Sequence, residues 1–305
     1  MRTPLGAALL VALGLLLGAC GAGGQGSSAR GDSPPVGTAS AAPAKVLVVM
    51  EENHSYREMR HSMPYLTRLS DTYGYATNWT AITHPSAPNY LAIAGGSTFG
   101  VTDDAAPAAD ENAVGSAPSV FDQALSANKT AGTYAESMPK NCHVYDHPDR
   151  AVGSPKYAVR HNPWVYFSAG RDDCLDHDKA LPQFAHDAAA NDLPNVGFLI
   201  PNLEHDAHDG SLATADAWLQ TQLRPVLQSK DFASGKLVVV ITADEDDRTA
   251  GNAVLTSVLT PALSGKVAKT PLNHYSLTRF IAQILGVTPL ENAKAAPDMK
   301  AAFGI

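Results

Sequence analysis

The chain has few cysteines and no concentration of positive charge. Only three of its 305 residues are cysteines, and Cys20 falls within an N-terminal leader. Lysine and arginine number 22 against 30 aspartates and glutamates, which gives a formal net charge of −8. Binding to a nucleic-acid backbone needs a basic face, and the sequence contains no basic cluster. We therefore expect no nucleic-acid partner.

Long hydrophobic runs are also lacking, apart from one at the N-terminus that is too short for a comfortable membrane span. Residues 1–20 contain Arg2, an apolar stretch over 5–17 and small residues before Cys20, which is the pattern of an export signal. The last four residues, LGAC, resemble a bacterial lipobox, so we predict a lipoprotein-type signal peptide over 1–20. A plain secretory signal is the alternative. Membrane attachment is expected only through a lipid anchor on Cys20.

The chain then divides into a tether and one domain. Residues 21–44 are rich in Gly, Ser, Ala and Pro without a hydrophobic period, which is typical of a flexible tether. Residues 45–305 are enough for a single large domain. Export implies an oxidising setting, in which Cys142 and Cys174, the two cysteines of this domain, are expected to form a disulfide. Two buried free thiols are the alternative.

Three continuous apolar runs predict strands that are buried on both faces. These runs cover residues 45–51, 195–201 and 236–243. Apolar residues near helical spacing predict helices over 63–72, 119–127, 212–228 and 275–285. Buried strands that alternate with amphipathic helices favour an α/β fold with a mainly parallel sheet between helices. In such folds the functional residues gather beyond the carboxyl ends of the strands.

A polar cluster follows each of the three predicted strands. The clusters are EENHS at 51–55, NLEHDAHDG at 202–210 and DEDD at 244–247. A single acidic cluster is usually a solvated loop, and this alternative stays open for Asp246 and Asp247. Three clusters at one sheet edge are different, because converging carboxylates raise each other's pKa unless a cation neutralises them. The sequence therefore predicts a metal site at this edge.

The stretch THPSAPNY, residues 83–90, fixes a hydroxyl between two prolines. Pro85 and Pro88 restrict the backbone around Ser86, and the following apolar residues read as the start of a helix. The amides of a helix N-terminus bind phosphate, so Ser86 is placed to attack phosphorus. A simple N-cap role for Ser86 is the alternative.

Six motifs in order resemble one known family. They are VVMEENHSY, THPSAPNYLAIAGG, RHNPWVYF, PNLEHDAHDGSLATADAWL, TADEDD and NHYSLTRFI. Together they are similar to the bacterial phosphoesterase family, which includes secreted acid phosphatases and phospholipases C, and most closely to its mycobacterial-type acid phosphatases. The resemblance implies the fold of the alkaline phosphatase superfamily.

The resemblance also implies a role for individual residues. Ser86 is implied to be the nucleophile, with His161 and His208 as further catalytic residues that face the phosphoryl group. The implied metal ligands are Glu52, Asn53, Ser86, Asp244 and Glu245, and the implied substrate-binding residues are Asn89, His161, His208 and His274. Glu51 directly precedes Glu52, which leaves the choice between these glutamates open. A capping or packing role is the alternative for His274, and Asp209 is expected to orient a histidine.

The ligand set suits one divalent ion. Its hard oxygen donors favour Mg²⁺, Ca²⁺ or Mn²⁺, with zinc and iron as alternatives. We expect a metal-dependent phosphomonoesterase of the acid-phosphatase type that acts through a phosphoserine, on small phosphate esters or phospholipid head groups. A phospholipase C is one alternative, and a non-catalytic phosphate-binding surface lipoprotein is another.

Overall fold

A computed structural model describes residues 42–107 and 114–305. The predicted signal peptide, the lipid anchor on Cys20 and all of the predicted tether except residues 42–44 lie outside the described residues. Within the two described ranges, no helix is both long enough and apolar enough to cross a membrane.

An eight-stranded sheet forms the centre of the described domain, in the spatial order β5-β4-β6-β1-β7-β8-β2-β9. A separate pair of strands, β3 and β10, forms a small second sheet. The strand bounds are β1 Lys45–Glu51, β2 Gly74–Ala76, β3 Trp79–Thr80, β4 Ala131–Ala135, β5 Asp178–Ala180, β6 Val196–Ile200, β7 Leu237–Ala243, β8 Thr256–Leu259, β9 Lys266–Ala268 and β10 Leu272–Asn273.

The sheet is mainly parallel, as the sequence predicts. Strands β5, β4, β6, β1 and β7 all run in the same direction, and only β8 pairs antiparallel with its neighbours. Strand β1 lies between the other two predicted strands, with Leu47 opposite both Gly197 and Val239. The continuous apolar runs fit this position because helices cover both faces of a parallel sheet.

Helices connect the strands. The bounds are α1 Tyr56–Ser62, α2 Pro64–Thr72, α3 Ser86–Gly95, α4 Val120–Ser126, α5 Arg171–His177, α6 Leu181–Ala190, α7 Leu212–Leu227, α8 Lys230–Ala233, α9 His274–Leu285 and α10 Met299–Phe303. The four predicted helices correspond to α2, α4, α7 and α9. Side-chain caps fix several starts: Ser119 accepts a hydrogen bond from the amide of Asp122, and Asn273 accepts one from the amide of Ser276.

Helix α3 is buried along its whole length, which is unusual for a helix that carries polar residues at its start. The hydroxyl of Thr278 in α9 donates to the carbonyls of Ala92 (2.8 Å) and Ile93 (2.9 Å). A Cβ on Gly95 would lie 2.6 Å from the Phe99 ring, so any larger residue at that end of the helix would force this ring to move. These contacts hold α3, and with it Ser86, in one place.

A disulfide joins Cys142 and Cys174, as predicted, across a sequence separation of 32 residues. Cys174 lies in α5. This helix ends directly before the buried Asp178, which begins β5. The Asp178 carboxylate accepts a hydrogen bond from the Thr133 hydroxyl and one from Asn162 Nδ2 (2.7 Å). Because Asn162 follows His161, the disulfide and Asp178 together brace the segment that carries this histidine.

The pH dependence of stability should report on Asp178, because burial raises the pKa of this carboxyl from 3.8 to about 7. The folded protein then binds this proton more tightly than the unfolded chain does. Its stabilising contribution is complete below about pH 4 and is lost as the pH rises towards 7. Asp178→Asn cannot ionise, so its unfolding free energy should fall less between about pH 4 and pH 8 than that of the wild type. The expected difference is on the order of 2–4 kcal/mol.

Urea unfolding of both proteins at the two pH values measures this difference. An identical loss of unfolding free energy in the wild type and in Asp178→Asn would contradict the assignment.

Candidate active site

Three buried carboxylates meet at one edge of the sheet, just beyond the ends of β1, β6 and β7. Glu52, Asp206 and Asp244 are each 0% exposed. The amide of Glu52 donates to the carbonyl of Asp206 (2.8 Å), and the amide of Asp244 donates to the carbonyl of Glu51 (3.0 Å). The three polar clusters predicted at this edge are therefore brought together by adjacent parallel strands.

The structure separates the roles of the two consecutive glutamates. Glu52 accepts hydrogen bonds from the hydroxyls of Ser86 (3.1 Å) and Tyr90 (2.5 Å). The carboxylate of Glu51 is buried, and neither of its oxygens has a hydrogen-bond partner among the described residues. Burial, with the nearby charge of Asp206, raises the pKa of Glu51 well above its usual range. Glu52 is the glutamate that faces Ser86.

Ser86 is the first residue of α3, and Pro85 occupies the N-cap position without a side-chain capping bond. The simple N-cap alternative for Ser86 is therefore wrong, because its hydroxyl donates to Glu52. Asn89 braces the turn before it: its amide group donates to the carbonyls of Thr83 (2.8 Å) and Pro85 (3.2 Å) and to Glu245 Oε2 (3.2 Å). The predicted substrate-binding residue Asn89 thus lies against the turn and Glu245.

The imidazole of His161 lies between two carboxylates. Its Nδ1 is 3.1 Å from Asp206 Oδ2, and its Nε2 is 3.4 Å from Glu52 Oε1, while the ring stacks on Tyr90 at 5.2 Å. Burial, with the nearby charge of Arg160, lowers the pKa of His161 well below its usual range. We assign the proton to Nδ1 from this network, in which Nδ1 donates to the ionised form of Asp206. The lone pair on Nε2 then faces a carboxylate oxygen, an arrangement that needs a cation or a proton between them.

His208 lies near His161, with the two ring centroids 5.9 Å apart. Its Nδ1 is 2.7 Å from Asp209 Oδ1, and its Nε2 is 3.1 Å from Nη2 of Arg160. Because Arg160 can only donate, His208 accepts at Nε2 and donates from Nδ1 to Asp209. The expectation that Asp209 orients a histidine agrees with this contact, and Asp206 has the same relation to His161.

Asp244 and Glu245 complete the cluster. Asp244 Oδ1 accepts from the amide of Glu245 (2.6 Å) and is 3.4 Å from the amide of Asn53, whereas Oδ2 has no hydrogen-bond partner in the described part of the chain. Burial raises the pKa of both carboxyls to about 7. His84 bridges Glu245 (3.1 Å) and Asp246 (3.2 Å).

The solvated-loop alternative is wrong for one of the two remaining aspartates of this motif. Asp246 is 1% exposed and accepts hydrogen bonds from the amides of Arg248, Ala250 and Asn252. These bonds shape the loop beside the site. Asp247 is exposed, as the alternative expects.

His274 lies behind Asp244. Its Nε2 is 2.6 Å from the carbonyl oxygen of Asp244, and its Nδ1 accepts from the indole N–H of Trp79 (3.3 Å). Burial lowers the pKa of His274 to about 4, so the ring is neutral. Both nitrogens are occupied, which leaves none for a phosphate and favours the packing alternative over a substrate-binding role. The capping role belongs to Asn273.

A cavity of about 330 Å³ opens onto Ser86. It is lined by Asn53, Pro85, Ser86, Asp104, His208, Glu245, Asp246, Asp247 and Arg248. Sequence reasoning missed Tyr90, Asp104, Arg160 and Asp206. Two of these had a local signal, since Arg160 precedes His161 in RHNPW and Asp206 lies within HDAHDG. Tyr90 had one as well, because it lies four residues after Ser86 and therefore on the same face of the predicted helix. Asp104 had none that could be read without the fold.

The described fold belongs to a known structural class. It matches the crystal structure of a protein in the alkaline phosphatase superfamily from Vibrio parahaemolyticus with a TM-score of 0.54 and 10% identity, covering 88% of this chain and 73% of that one. This similarity confirms the predicted fold class.

Sequence comparison gives the family. Residues 59–288 match the Phosphoesterase family. The chain is 33% identical over 286 residues to a phosphatidylinositol-3-phosphatase of Mycobacterium tuberculosis, covering 90% of this chain and 88% of that protein. It is 31% identical over 232 residues to a phosphate-repressible acid phosphatase of Penicillium chrysogenum, covering 74% of this chain and 55% of that protein. The chain belongs to the phosphoesterase family and is a phosphoric ester hydrolase related to acid phosphatases.

Proposed function

We propose that the protein is a metal-dependent phosphomonoesterase in which Ser86 is the nucleophile. The observation that carries this proposal is the position of the Ser86 hydroxyl, which donates to the buried Glu52 at the start of α3 and opens onto the cavity. A nucleophilic serine needs both an acceptor for its proton and access to substrate, and Ser86 has Glu52 as the acceptor and the cavity as the access.

The reaction proceeds in two displacements at phosphorus. Ser86 Oγ attacks the phosphoryl group and its proton passes to Glu52, whose second oxygen faces His161. The ester oxygen leaves and takes up a proton from solvent, while Glu52 releases to solvent the proton that it received. Water then attacks the phosphoserine, one of its protons returns through Glu52 to Ser86 Oγ, and phosphate is released. His161 and His208 face the phosphoryl group. A bound phosphate dianion favours their protonated forms, which donate hydrogen bonds to it.

A divalent cation fits this site on two observations of the structure. Asp244 Oδ2 is buried without a hydrogen-bond partner in the described ranges, and His161 Nε2 lies 3.4 Å from Glu52 Oε1 without a hydrogen bond between them. We propose Glu52, Asn53, Ser86, Asp244 and Glu245 as the residues that hold one ion. When bound, the ion supplies positive charge that lowers the pKa of the serine hydroxyl and offsets the charge of the phosphoryl group.

The donor atoms bear on which metal is bound. The five proposed ligands offer oxygen, which suits Mg²⁺, Ca²⁺ or Mn²⁺. A second group, formed by Glu52, His161 and Asp206, has ligand atoms within 4.8 Å of one another and adds a nitrogen donor. Zinc or iron would favour this second group, because imidazole suits these metals.

Asp244→Asn tests the metal proposal. The variant keeps the side-chain shape but removes one negative charge from the ligand set. The affinity of the protein for the metal ion should therefore fall by at least about tenfold. Elemental analysis of the purified protein, with thermal unfolding followed during metal titration, measures the change. Asp247→Asn is the matched control, because Asp247 lies in the same motif and is exposed. Equal metal content in the two variants would remove Asp244 from the ligand set.

We further propose that the substrates are phosphate monoesters, including phosphorylated lipid head groups. The support for lipid substrates is the 33% identity to a phosphatidylinositol-3-phosphatase over nearly the whole chain. The leader over residues 1–20 supports export, with attachment to the membrane only through lipidated Cys20. A phospholipase C would need to seat a diester with an apolar tail, whereas the lining of the cavity at Ser86 is mostly polar.

Hydrolysis assays separate the candidate functions. We expect turnover of para-nitrophenyl phosphate and of phosphatidylinositol 3-phosphate in vesicles, little turnover of a choline phosphodiester, and loss of all turnover with chelator. Preferential cleavage of the diester would favour the phospholipase C. Phosphate binding without hydrolysis of any ester would favour the non-catalytic lipoprotein.

Ser86→Ala tests the nucleophile. Turnover should fall by about 10³-fold or more, because the attacking oxygen is gone, while inorganic phosphate still binds in weakened form. In the wild type, rapid acid quenching with labelled substrate should leave phosphate on the peptide that contains Ser86.

Ser119→Ala is the control for this variant, since Ser119 is a true N-cap of α4. It should lose about 1 kcal/mol of unfolding free energy and keep its turnover. If Ser86→Ala behaves like Ser119→Ala, Ser86 is not the nucleophile.

A further inference from the structure

The side chain of Asp104 spans the mouth of the site. Its Oδ1 accepts a hydrogen bond from the amide of Ala87 (2.9 Å), the residue directly after Ser86. Its Oδ2 is 3.7 Å from Nε of Arg160. One carboxylate therefore lies between the start of α3 and a guanidinium, and none of the six sequence motifs includes Asp104.

Arg160 is poorly satisfied for a buried arginine. The residue is 6% exposed, and its Nε has no hydrogen-bond partner within the described residues. The 3.7 Å separation from Asp104 is too long for a hydrogen bond. A buried donor without an acceptor is costly, so the site holds a guanidinium that is ready for a better-placed anion.

The two groups next to the Asp104 carboxylate, the Ala87 amide and the Arg160 guanidinium, are of the kinds that commonly bind phosphate in proteins. An amide at the start of a helix and an arginine side chain each favour a phosphoryl oxygen. Asp104 itself is less firmly held, since its side chain is 35% exposed against 7% for Arg160. It also adds a negative charge beside a site that already contains several buried carboxylates, so its presence opposes the binding of a further anion.

We propose that the Ala87 amide and the Arg160 guanidinium form the subsite for a phosphoryl oxygen, and that the Asp104 carboxylate fills this subsite until a phosphate displaces it. The proposal rests on the phosphomonoesterase function above. Asp104 then lowers the affinity for substrate and for the product phosphate alike, because each must compete with it. Arg160 acts as a substrate-binding residue.

Isothermal titration of inorganic phosphate tests the proposal directly, on protein carrying the divalent metal that it retains or Mg²⁺ if it retains none. Asp104→Ala should bind phosphate about tenfold more tightly than the wild type, the factor expected if the open subsite is about one-tenth populated. Asp104→Asn keeps an acceptor for the Ala87 amide but loses the charge, so its affinity should lie between the two. Arg160→Gln should bind phosphate more weakly than the wild type.

Asp103→Asn is the charge-matched control. Asp103 is exposed and directly precedes Asp104 but does not line the cavity, so its loss should change phosphate affinity by less than about twofold. A merely structural role for Asp104 predicts the opposite direction, because a loosened α3 would weaken binding. The gain should also be larger for inorganic phosphate than for the monoanion dimethyl phosphate, since repulsion by Asp104 scales with ligand charge.

Phosphate affinity that is unchanged or weaker in Asp104→Ala would overturn the proposal, as would unweakened binding in Arg160→Gln or an absence of phosphate binding in every protein tested. These outcomes are separable from failure of the proposed function. Tighter phosphate binding in Asp104→Ala without hydrolysis of any phosphate ester would retain the subsite and reject the phosphomonoesterase. Normal monoester hydrolysis by the wild type, with unchanged phosphate affinity in Asp104→Ala, would retain the phosphomonoesterase and reject the subsite.

Discussion

Mutual repulsion among buried carboxylates is the constraint around which this domain is organised. The parallel alignment of β6, β1 and β7 places Asp206, Glu52 and Asp244 at one edge, out of water, and Glu245 follows directly. In a medium of low dielectric constant such groups cannot all ionise without positive charge nearby. Among the described residues, Arg160 is the buried arginine at this edge and Arg248 lines the cavity from its exposed side, whereas burial lowers the pKa values of His161 and His274. The rest of the positive charge that neutralises these carboxylates has to come from a metal ion or from protons. The cluster therefore lowers the stability of the fold and at the same time creates a site that binds a cation.

The surroundings of the cluster are correspondingly rigid. Ser86 begins helix α3, whose C-terminal part packs Gly95 against the Phe99 ring and accepts a hydrogen bond from Thr278 at Ala92. Asn89 ties the turn before Ser86 to Glu245. On the other side, the disulfide and Asp178 hold the segment of His161. Groups held in this way lose little freedom when substrate binds, which favours catalysis by positioning.

The sequence predicted those features of the fold and of the site that depend on neighbouring residues in the chain. The three buried strands follow from unbroken apolar runs, and the polar clusters follow from what comes directly after each strand. The choice between Glu51 and Glu52 could not be made, because it depends on which face each side chain takes where β1 ends. Asp104 reaches the site from a loop, for which no spacing rule exists, whereas Tyr90 lies four residues after Ser86 on the same face of α3 and could have been inferred. For His274 the motif suggests a substrate contact and leaves a packing role as the alternative, and the structure favours packing because both of its nitrogens are occupied.

The contact from Trp79 through His274 to the carbonyl of Asp244 also bears on how loss-of-function variants are interpreted. Trp79 begins β3, and His274 directly follows β10, so the small two-stranded sheet supports the backbone of an acidic residue in the site. An inactive His274 variant would resemble a catalytic knockout in a histidine scan, although the ring supports the scaffold. The fluorescence of the buried Trp79 should change in such variants, because its indole loses its acceptor when the imidazole is removed. Trp79 fluorescence thus reports on the support of the Asp244 backbone, and through it on the geometry of the carboxylate cluster.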